Sequence, residues 1–572
     1  MNTPARLTAV LVACALAACS TRQEEAGPPP SPVLQKEMEA VADTAQPPAE
    51  VPAAPAAKPE AAGLARGDAR MAKLAAPLAE RAYAPMPQPM LQLEPEDRER
   101  YGKIVRNGVI ATAEQPVSTF SIDVDTGSYS NLRRLLNEGR LPPRDAVRVE
   151  ELVNYFPYDY PRPQGAEPFA VSSELAATPW NPDSLLLRIG IQAADPAKDA
   201  LPPANLVFLV DVSGSMDSPD KLPLLKNALK LFTRQLRGKD RVALVTYASG
   251  TRVVLPPTAG ERRGEILAAI DQLQPGGSTA GAAGIELAYQ MAEQGFIKGG
   301  INRILLATDG DFNVGISNFE TLKNRVEEKR KTGVSLSALG FGTGNYNEQL
   351  MEQIADAGDG AYSYIDNLAE AQKVLVDEFT STLATVARDV KIQLEFNPQN
   401  VAEYRLIGFE NRALKREDFA NDKVDAGEIG AGHRVTALYE ITLAGKRGKL
   451  EPLRYAINKP LLTGRDQELG FLRLRYKAAH GEASQLLEFP LRRAMLQAQP
   501  SDEFRFAAAV AAFGQRLGDG GKYLGSYDFA QIRDLAAGAR GADRFGYRGE
   551  FLRLVGLAQS LASSEPATQP AQ

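Results

Sequence analysis

The sequence predicts an α/β chain in which a doubly wound domain is inserted in, or flanked by, an antiparallel β-sandwich, with α-helical N- and C-terminal blocks. Three patterns carry this expectation. Between residues 201 and 387, wholly apolar runs alternate with stretches of helical spacing, as in a parallel sheet covered on both faces. On either side of that region apolar residues recur at every second position, as in strands with one buried face. Toward both ends of the folded part, Leu and Phe recur at three- and four-residue intervals, the helical period.

In chain order, Arg6 precedes an apolar run, Leu7–Ala18, that is too short to span a bilayer and has the shape of a secretory signal. Its end, Leu16-Ala17-Ala18-Cys19, resembles a bacterial lipobox. The resemblance implies a lipoprotein signal peptide over residues 1–18, cleavage before Cys19 and a lipid on that Cys. Ser20 at the next position implies sorting to the outer membrane of a Gram-negative bacterium. Residues 19–95 are rich in Ala, Pro and Glu, with Tyr83 as the only aromatic. Such a segment buries too little apolar surface to order itself, and it reads as a disordered tether.

Residues 96–167 read as an N-terminal block. Ser118–Asp125 forms a strand entering a turn, Tyr129–Asn137 a helix with Leu132, Leu135 and Leu136 on one side, and Pro143–Phe156 a second helix. The sandwich strands begin in 168–200, where Leu185, Leu187, Ile189 and Ile191 alternate. They resume in 388–490, at Val390–Phe396, Val435–Leu443 and Leu472–Tyr476. Within 201–387 the strands are Leu206–Val210, Val242–Tyr247, Ile304–Thr308, Ser335–Leu339 and Ala361–Ile365, and the helices include Leu222–Leu236 and Ala280–Gln294. Ser501 caps a helix bearing Phe506, Val510, Phe513 and Leu517, and residues 491–572 read as helical with a frayed tail beyond Ser560.

Composition narrows the chemistry. The chain has 65 Lys+Arg against 71 Asp+Glu, an acidic balance that argues against nucleic-acid binding. Its two cysteines, Cys14 and Cys19, both lie in the first twenty residues, so no disulfide framework exists. His433 and His480 are the only imidazoles, which excludes a Cys/His zinc site and nearly excludes a Ser-His-Asp enzyme. A metal in this chain is held by oxygen, pointing to a hard cation such as Mg²⁺ or Ca²⁺. No phosphate-binding Gly-x-x-x-x-Gly-Lys-Ser/Thr occurs, so no nucleotide is expected.

Ligands of doubly wound sheets sit beyond the carboxyl ends of the strands. Three such ends carry oxygen donors: Asp211-Val212-Ser213-Gly214-Ser215, the loop Gly276–Gly281 with Thr279, and Asp309 after Thr308. Spacing of i, i+2, i+4 in an extended loop places the Asp211 carboxylate and two hydroxyls on one side. Together these segments resemble the metal-ion-dependent adhesion site of the von Willebrand factor type A (vWA) domain, a Rossmann-like fold. The resemblance implies that Ser213, Ser215 and Thr279 bind the metal directly and that Asp211 and Asp309 act largely through waters. Mg²⁺ is the expected ion, with Mn²⁺ or Ca²⁺ as alternatives. Two carboxylates and neutral oxygens leave a coordination position free, which an acidic residue of a partner can fill. Ser118–Tyr129, Glu150–Phe156, Thr308–Gly315 and Tyr404–Gly408 resemble a bacterial family of lipoproteins in which a vWA domain lies between a family-specific N-terminal block and C-terminal region. That resemblance spans roughly residues 96–560.

Other signals are weaker. Asp125-Thr126-Gly127-Ser128 looks like an aspartic-protease turn but has no second copy, and a lone Asp123-x-Asp125 is a poor phosphatase motif. Both read better as caps of the helix that follows. Asp309, Asp311, Asn313 and Glu320 match EF-hand spacing, but Val314 stands where Gly is required. Asp217 and Asp220 read as solvated loop carboxylates. Gly340–Gly344 reads as a strand-to-helix loop, and Trp180 as a packing residue.

The functional expectation is a lipid-anchored, non-enzymatic protein of the cell envelope, whose vWA domain binds a protein partner presenting an acidic residue. The alternatives are a metal-dependent hydrolase of phosphoesters with Asp311 as base, and a structural envelope component.

Overall fold

The computed structural model describes residues 99–564 except 166, 280, 311–318, 345, 379, 380, 382, 425, 452–466, 480 and 482. The signal segment, Cys19, the tether, Asp311 and His480 lie outside the described residues.

The first two strands, β1 (Ile110–Ala111) and β2 (Val117–Ser121), belong to different sheets. β1 joins β3 (Phe169–Thr178), β4 (Asn181–Ala193), β12 (Val401–Ile407) and β14 (Arg434–Leu443) in the order β1-β12-β14-β4-β3. The facing sheet runs β13 (Ile429–Gly430), β11 (Thr385–Phe396), β15 (Glu468–Ala478), β16 (Ser484–Arg492), with β2 paired to β11. All these pairings are antiparallel. Phe120, Leu187, Ile189, Ile191, Ile392, Leu394, Tyr439, Leu472 and Leu474 fill the space between the sheets. One sandwich is therefore built from chain on both sides of the doubly wound region. Residues 96–167 are not a separate helical block, because they lend a strand to each sheet.

The expectation of one buried face fails for the β4-containing sheet. Its inner face packs in the sandwich, and Ala176, Leu186, Leu438 and Ile407 on the other face pack against C-terminal helices. Alternating polar residues disguise this burial because each is paired. Arg405 meets Glu440 at 2.9 Å, the Asn154 amide bonds Thr436 N and O, and Gly190 leaves room for the Tyr160 ring. The helices Asp502–Gly518, Phe529–Gly538 and Tyr547–Ser564 form that outer layer. Ser501 caps the first, its Oγ accepting from Phe504 N.

The expected helix Pro143–Phe156 is broken. A 3-10 turn, Arg144–Ala146, and a short helix, Val149–Asn154, flank an extended Val147-Arg148. At the break the Arg148 N–H donates to Ser128 Oγ at 2.9 Å, outside any helical ladder, and its guanidinium meets Glu352 at 3.0 Å. The helix Gly127–Asn137 has no side-chain cap, so Asp123 and Asp125 are not the caps anticipated.

The inserted sheet runs β10 (Tyr362–Ile365), β9 (Ser335–Phe341), β8 (Ile301–Thr308), β5 (Ala204–Asp211), β6 (Arg241–Tyr247), β7 (Thr251–Ala259). Five strands are parallel. β7, which apolar runs alone did not reveal, is an antiparallel edge. It carries Pro256 and Pro257, which an edge strand tolerates because it need not donate outward. Leu225, Leu229, Phe232, Ile266 and Ile270 cover one face of the sheet, and Ile285, Tyr289, Val326, Met351 and Ile354 the other. The Leu222–Thr233 helix ends a turn earlier than its apolar period suggests.

Candidate metal site

The chain leaves β5 in one direction for β6 and β7, then returns to build β8, β9 and β10 on the opposite side. The crevice at this reversal, beyond the carboxyl ends of β5 and β8, is where such sheets bind ligands. Asp211 ends β5, and Asp309 follows β8.

Both carboxylates are fully buried. Asp211 Oδ1 accepts from Ser213 N at 2.9 Å, and Oδ2 accepts from Thr308 Oγ1 at 2.8 Å. These bonds fold the loop so that the hydroxyls of Ser213 and Ser215 lie 3.0 Å apart, with Ser213 buried and Ser215 exposed. The loop is stitched to the segment bearing Thr279 by Gly214 N to Gly277 O at 2.9 Å and Gly276 N to Val212 O at 2.8 Å. Gly277 sits at φ +90°, where a Cβ would meet Ser249 Oγ at 2.5 Å. Burial pushes the Asp211 carboxyl up to about 6, its bonds from Ser213 pull it down, and nearby Asp309 pushes it up again. A bound cation would relieve that cost.

Of the five expected positions, Asp211, Ser213 and Ser215 meet in one hydrogen-bonded loop. Asp309 is close enough to Asp211 to raise it, and the Thr279 loop is fastened alongside. The donor set is all oxygen and suits a hard divalent cation, which would sit on the Ser213 and Ser215 hydroxyls and Thr279 with the aspartates behind. It would supply a positive centre at the exposed mouth near Ser215.

Sequence reasoning missed two residues. Thr308 bridges Asp211 Oδ2 and Gly310 N, the latter at 3.1 Å. Lys221, only 6% exposed, places Nζ 3.0 Å from Asp309 Oδ2. No periodicity marks either, although a lysine just ahead of an apolar helix is a small hint. Asp220 is held by Ser218 and Thr343, consistent with an ordinary loop carboxylate.

A second carboxylate cluster contains Asp123 and Asp125, which the sequence suggests only as helix caps. Arg412 binds Asp123 at 3.0 Å, Asp125 at 3.0 Å, Asp356 at 2.8 Å and Glu352 at 3.1 Å. Asp125 Oδ1 also accepts from Tyr362 N at the start of β10. Beside this cluster a cavity of about 310 Å³ separates the parallel sheet from the sandwich, and His433 lines it. Burial holds that imidazole down at about 4, so it is neutral. Trp180 packs near Tyr527 and donates to Glu440, as expected of a structural residue.

The fold and this crevice define a vWA-domain protein. The family model of the von Willebrand factor type A domain matches residues 205–378, and one described as von Willebrand factor matches 95–188. A third, described as uncharacterized protein YfbK, C-terminal, matches 381–561. The chain is 52% identical over 470 residues to uncharacterized protein YfbK of Escherichia coli K12, covering 81% of each. It belongs to the YfbK family of vWA-domain proteins. It is also 30% identical over 214 residues to uncharacterized protein sll0103 of Synechocystis, covering 37% of this chain and 50% of that one. A solved von Willebrand factor type A protein from Catenulispora acidiphila superposes with a TM-score of 0.39 at 18% identity, covering 66% of this chain and 88% of that one. The domain class is one of protein interaction and adhesion, and it commonly holds a metal at a site of this kind. Among the described residues no helix is long and apolar enough to cross a membrane.

Proposed function

We propose that the protein is a lipid-anchored receptor of the cell envelope that captures an acidic side chain of a partner protein through Mg²⁺. The ion is held by Ser213, Ser215 and Thr279, backed by Asp211 and Asp309. The observation carrying this reading is the convergence of two buried carboxylates and paired hydroxyls at the reversal of strand order, opening to solvent at Ser215. The anchor is Cys19, and the outer membrane of a Gram-negative bacterium is its destination. The site binds without turnover, because the ion's free position is taken by the partner's carboxylate.

Crosslinking in intact envelopes tests the reading. Wild type should capture a partner in Mg²⁺ and release it to a chelator, while Asp211→Ala should capture none. Equal capture by the variant, or indifference to the chelator, would sink it. Cys19→Ser should release the chain from the membrane fraction. Retention there would refute the anchor.

A further inference from the structure

The Lys221 side chain reaches Asp309 through a slot built for it. Its stem crosses Gly342, which follows β9 at φ +78°. A Cβ there would stand 2.3 Å from Lys221 Cγ and Cε, so only glycine leaves room. Tyr364 Oη donates to Gly342 O at 2.9 Å and fixes the floor of the slot. The lysine backbone is fastened as well: its N–H donates to Ser218 O at 3.0 Å and its carbonyl accepts from Leu225 N at 2.9 Å. The carboxyl ends of β5, β8 and β9 thus contribute Asp211, Asp309 and the groove that aims an ammonium at Asp309.

We infer that Lys221 is a positioning residue that sets what the metal site binds. It engages Asp309 Oδ2, which keeps that oxygen from closing on the ion and leaves the ion short of charged ligands. It also alters the net charge. Asp211 and Asp309 together cancel a divalent ion, and the buried ammonium adds one positive charge to these groups. The site then holds its metal less tightly but attracts an anionic ligand more strongly, because a unit charge a few ångströms away in a partly buried site is weakly screened. This inference rests on the metal reading proposed above and adds a determinant of ligand charge to it.

The full chain is titrated with Mn²⁺, followed by loss of the free-ion EPR signal, with acetate as carboxylate probe read by its Mn²⁺-enhanced NMR relaxation. Lys221→Met and Lys221→Gln should each bind Mn²⁺ about tenfold more tightly, since one repulsive charge is gone, and should lose the acetate effect. Lys221→Gln keeps an amide donor for Asp309, separating charge from hydrogen bonding, and Lys221→Arg should behave as wild type. Unchanged or weaker Mn²⁺ binding in both neutral variants overturns the inference. Failure of both to fold, even combined with Asp309→Asn, makes Lys221 a folding counter-ion and overturns it equally. Asp211→Ala distinguishes the two levels: if it binds Mn²⁺ as wild type does, the metal reading itself is wrong.

Discussion

The helix Glu348–Ala357 touches two carboxylate clusters of opposite design. At its start, Asn347 N lies where a Cβ on Gly310 would reach within 2.9 Å, so the loop of the candidate metal site rests on its cap. Further along, Glu352 and Asp356, one turn apart on the same face, hold Arg412 together with Asp123 and Asp125. The second cluster has more acid, and oxygens of Asp123, Asp125 and Asp356 lie within 4.8 Å of one another. Yet its centre is filled by a guanidinium, and no hydroxyl pair accompanies it among the contacts of Arg412. The first cluster has two carboxylates, paired serine hydroxyls and an exposed rim. Acid count is therefore a poor guide to a metal site. Neutral oxygens and an accessible position distinguish the candidate metal site from the cluster that Arg412 fills.

The sharpest way to break this contrast is Arg412→Met. Removing the cation leaves buried carboxylates facing one another, and breaking a buried ion pair from one side costs about 3–5 kcal/mol. Denaturant unfolding should show a loss of that size, with partial rescue by Asp356→Asn. A bracing role fails if the variant is as stable as wild type.

Asp211→Asn comes next. Without metal it should lose about 1–3 kcal/mol, because both Asp211 oxygens accept hydrogen bonds and an amide NH2 would face the Thr308 hydroxyl that donates there. In Mg²⁺ at a hundredfold excess over Kd, wild type should gain about 2.7 kcal/mol and the variant nothing. Calorimetric melting with and without Mg²⁺ reads both. A metal-induced gain in the variant would place the ion elsewhere.

The two clusters also differ in how legible they are. Asp211, Ser213 and Ser215 fall within five consecutive residues of one loop, and Asp309 ends an apolar run, so strand-end logic finds them. Arg412 is separated from Asp123 by about half of the chain, and nothing local announces that a guanidinium will fill an acidic cluster. Lys221 is hidden likewise, since its slot depends on Gly342 in another strand-end loop. The fold shows the same division. Period-2 runs reveal the split sandwich, whereas burial of its second face is masked by polar residues such as Glu440 and Arg405, which look solvated until their partner is known. Burial alone would raise Glu440, but Arg405 beside it holds the carboxyl down at about 2.

The bracing cluster should also reveal itself by pH. Burial pushes Asp123 up to about 7, with Arg412 opposing and Asp356 reinforcing the rise. The neighbouring Glu151, paired with Arg148 rather than Arg412, is pushed up by burial to about 8, with Arg148 opposing and Glu352 reinforcing. In the unfolded chain both titrate near 4, so the folded state holds the extra protons and stability falls as pH rises through 7 and 8. His433, held down at about 4, acts in the opposite sense, but below about pH 6.5. Metal-free melting between pH 6.5 and 8.5 should therefore show a declining Tm, less steep in Asp123→Asn near pH 7. A Tm that rises across this range would contradict the assignment.

The smallest expected effect falls where the clusters meet. Gly310→Ala puts a side chain at φ +84°, a region that disfavours Cβ, against the Asn347 backbone. The strain should cost about 1–2 kcal/mol. Its interest lies in where the cost is felt. The Gly310 N–H is held by Thr308 Oγ1, which also donates to Asp211, so a shift there disturbs the metal loop through one shared hydroxyl. The Arg412 contacts lie one to two turns down a helix that moves as a unit. Mn²⁺ affinity should thus fall several-fold while the decline of Tm with pH keeps its slope. If the slope flattens instead, the helix transmits the disturbance and the two clusters act together.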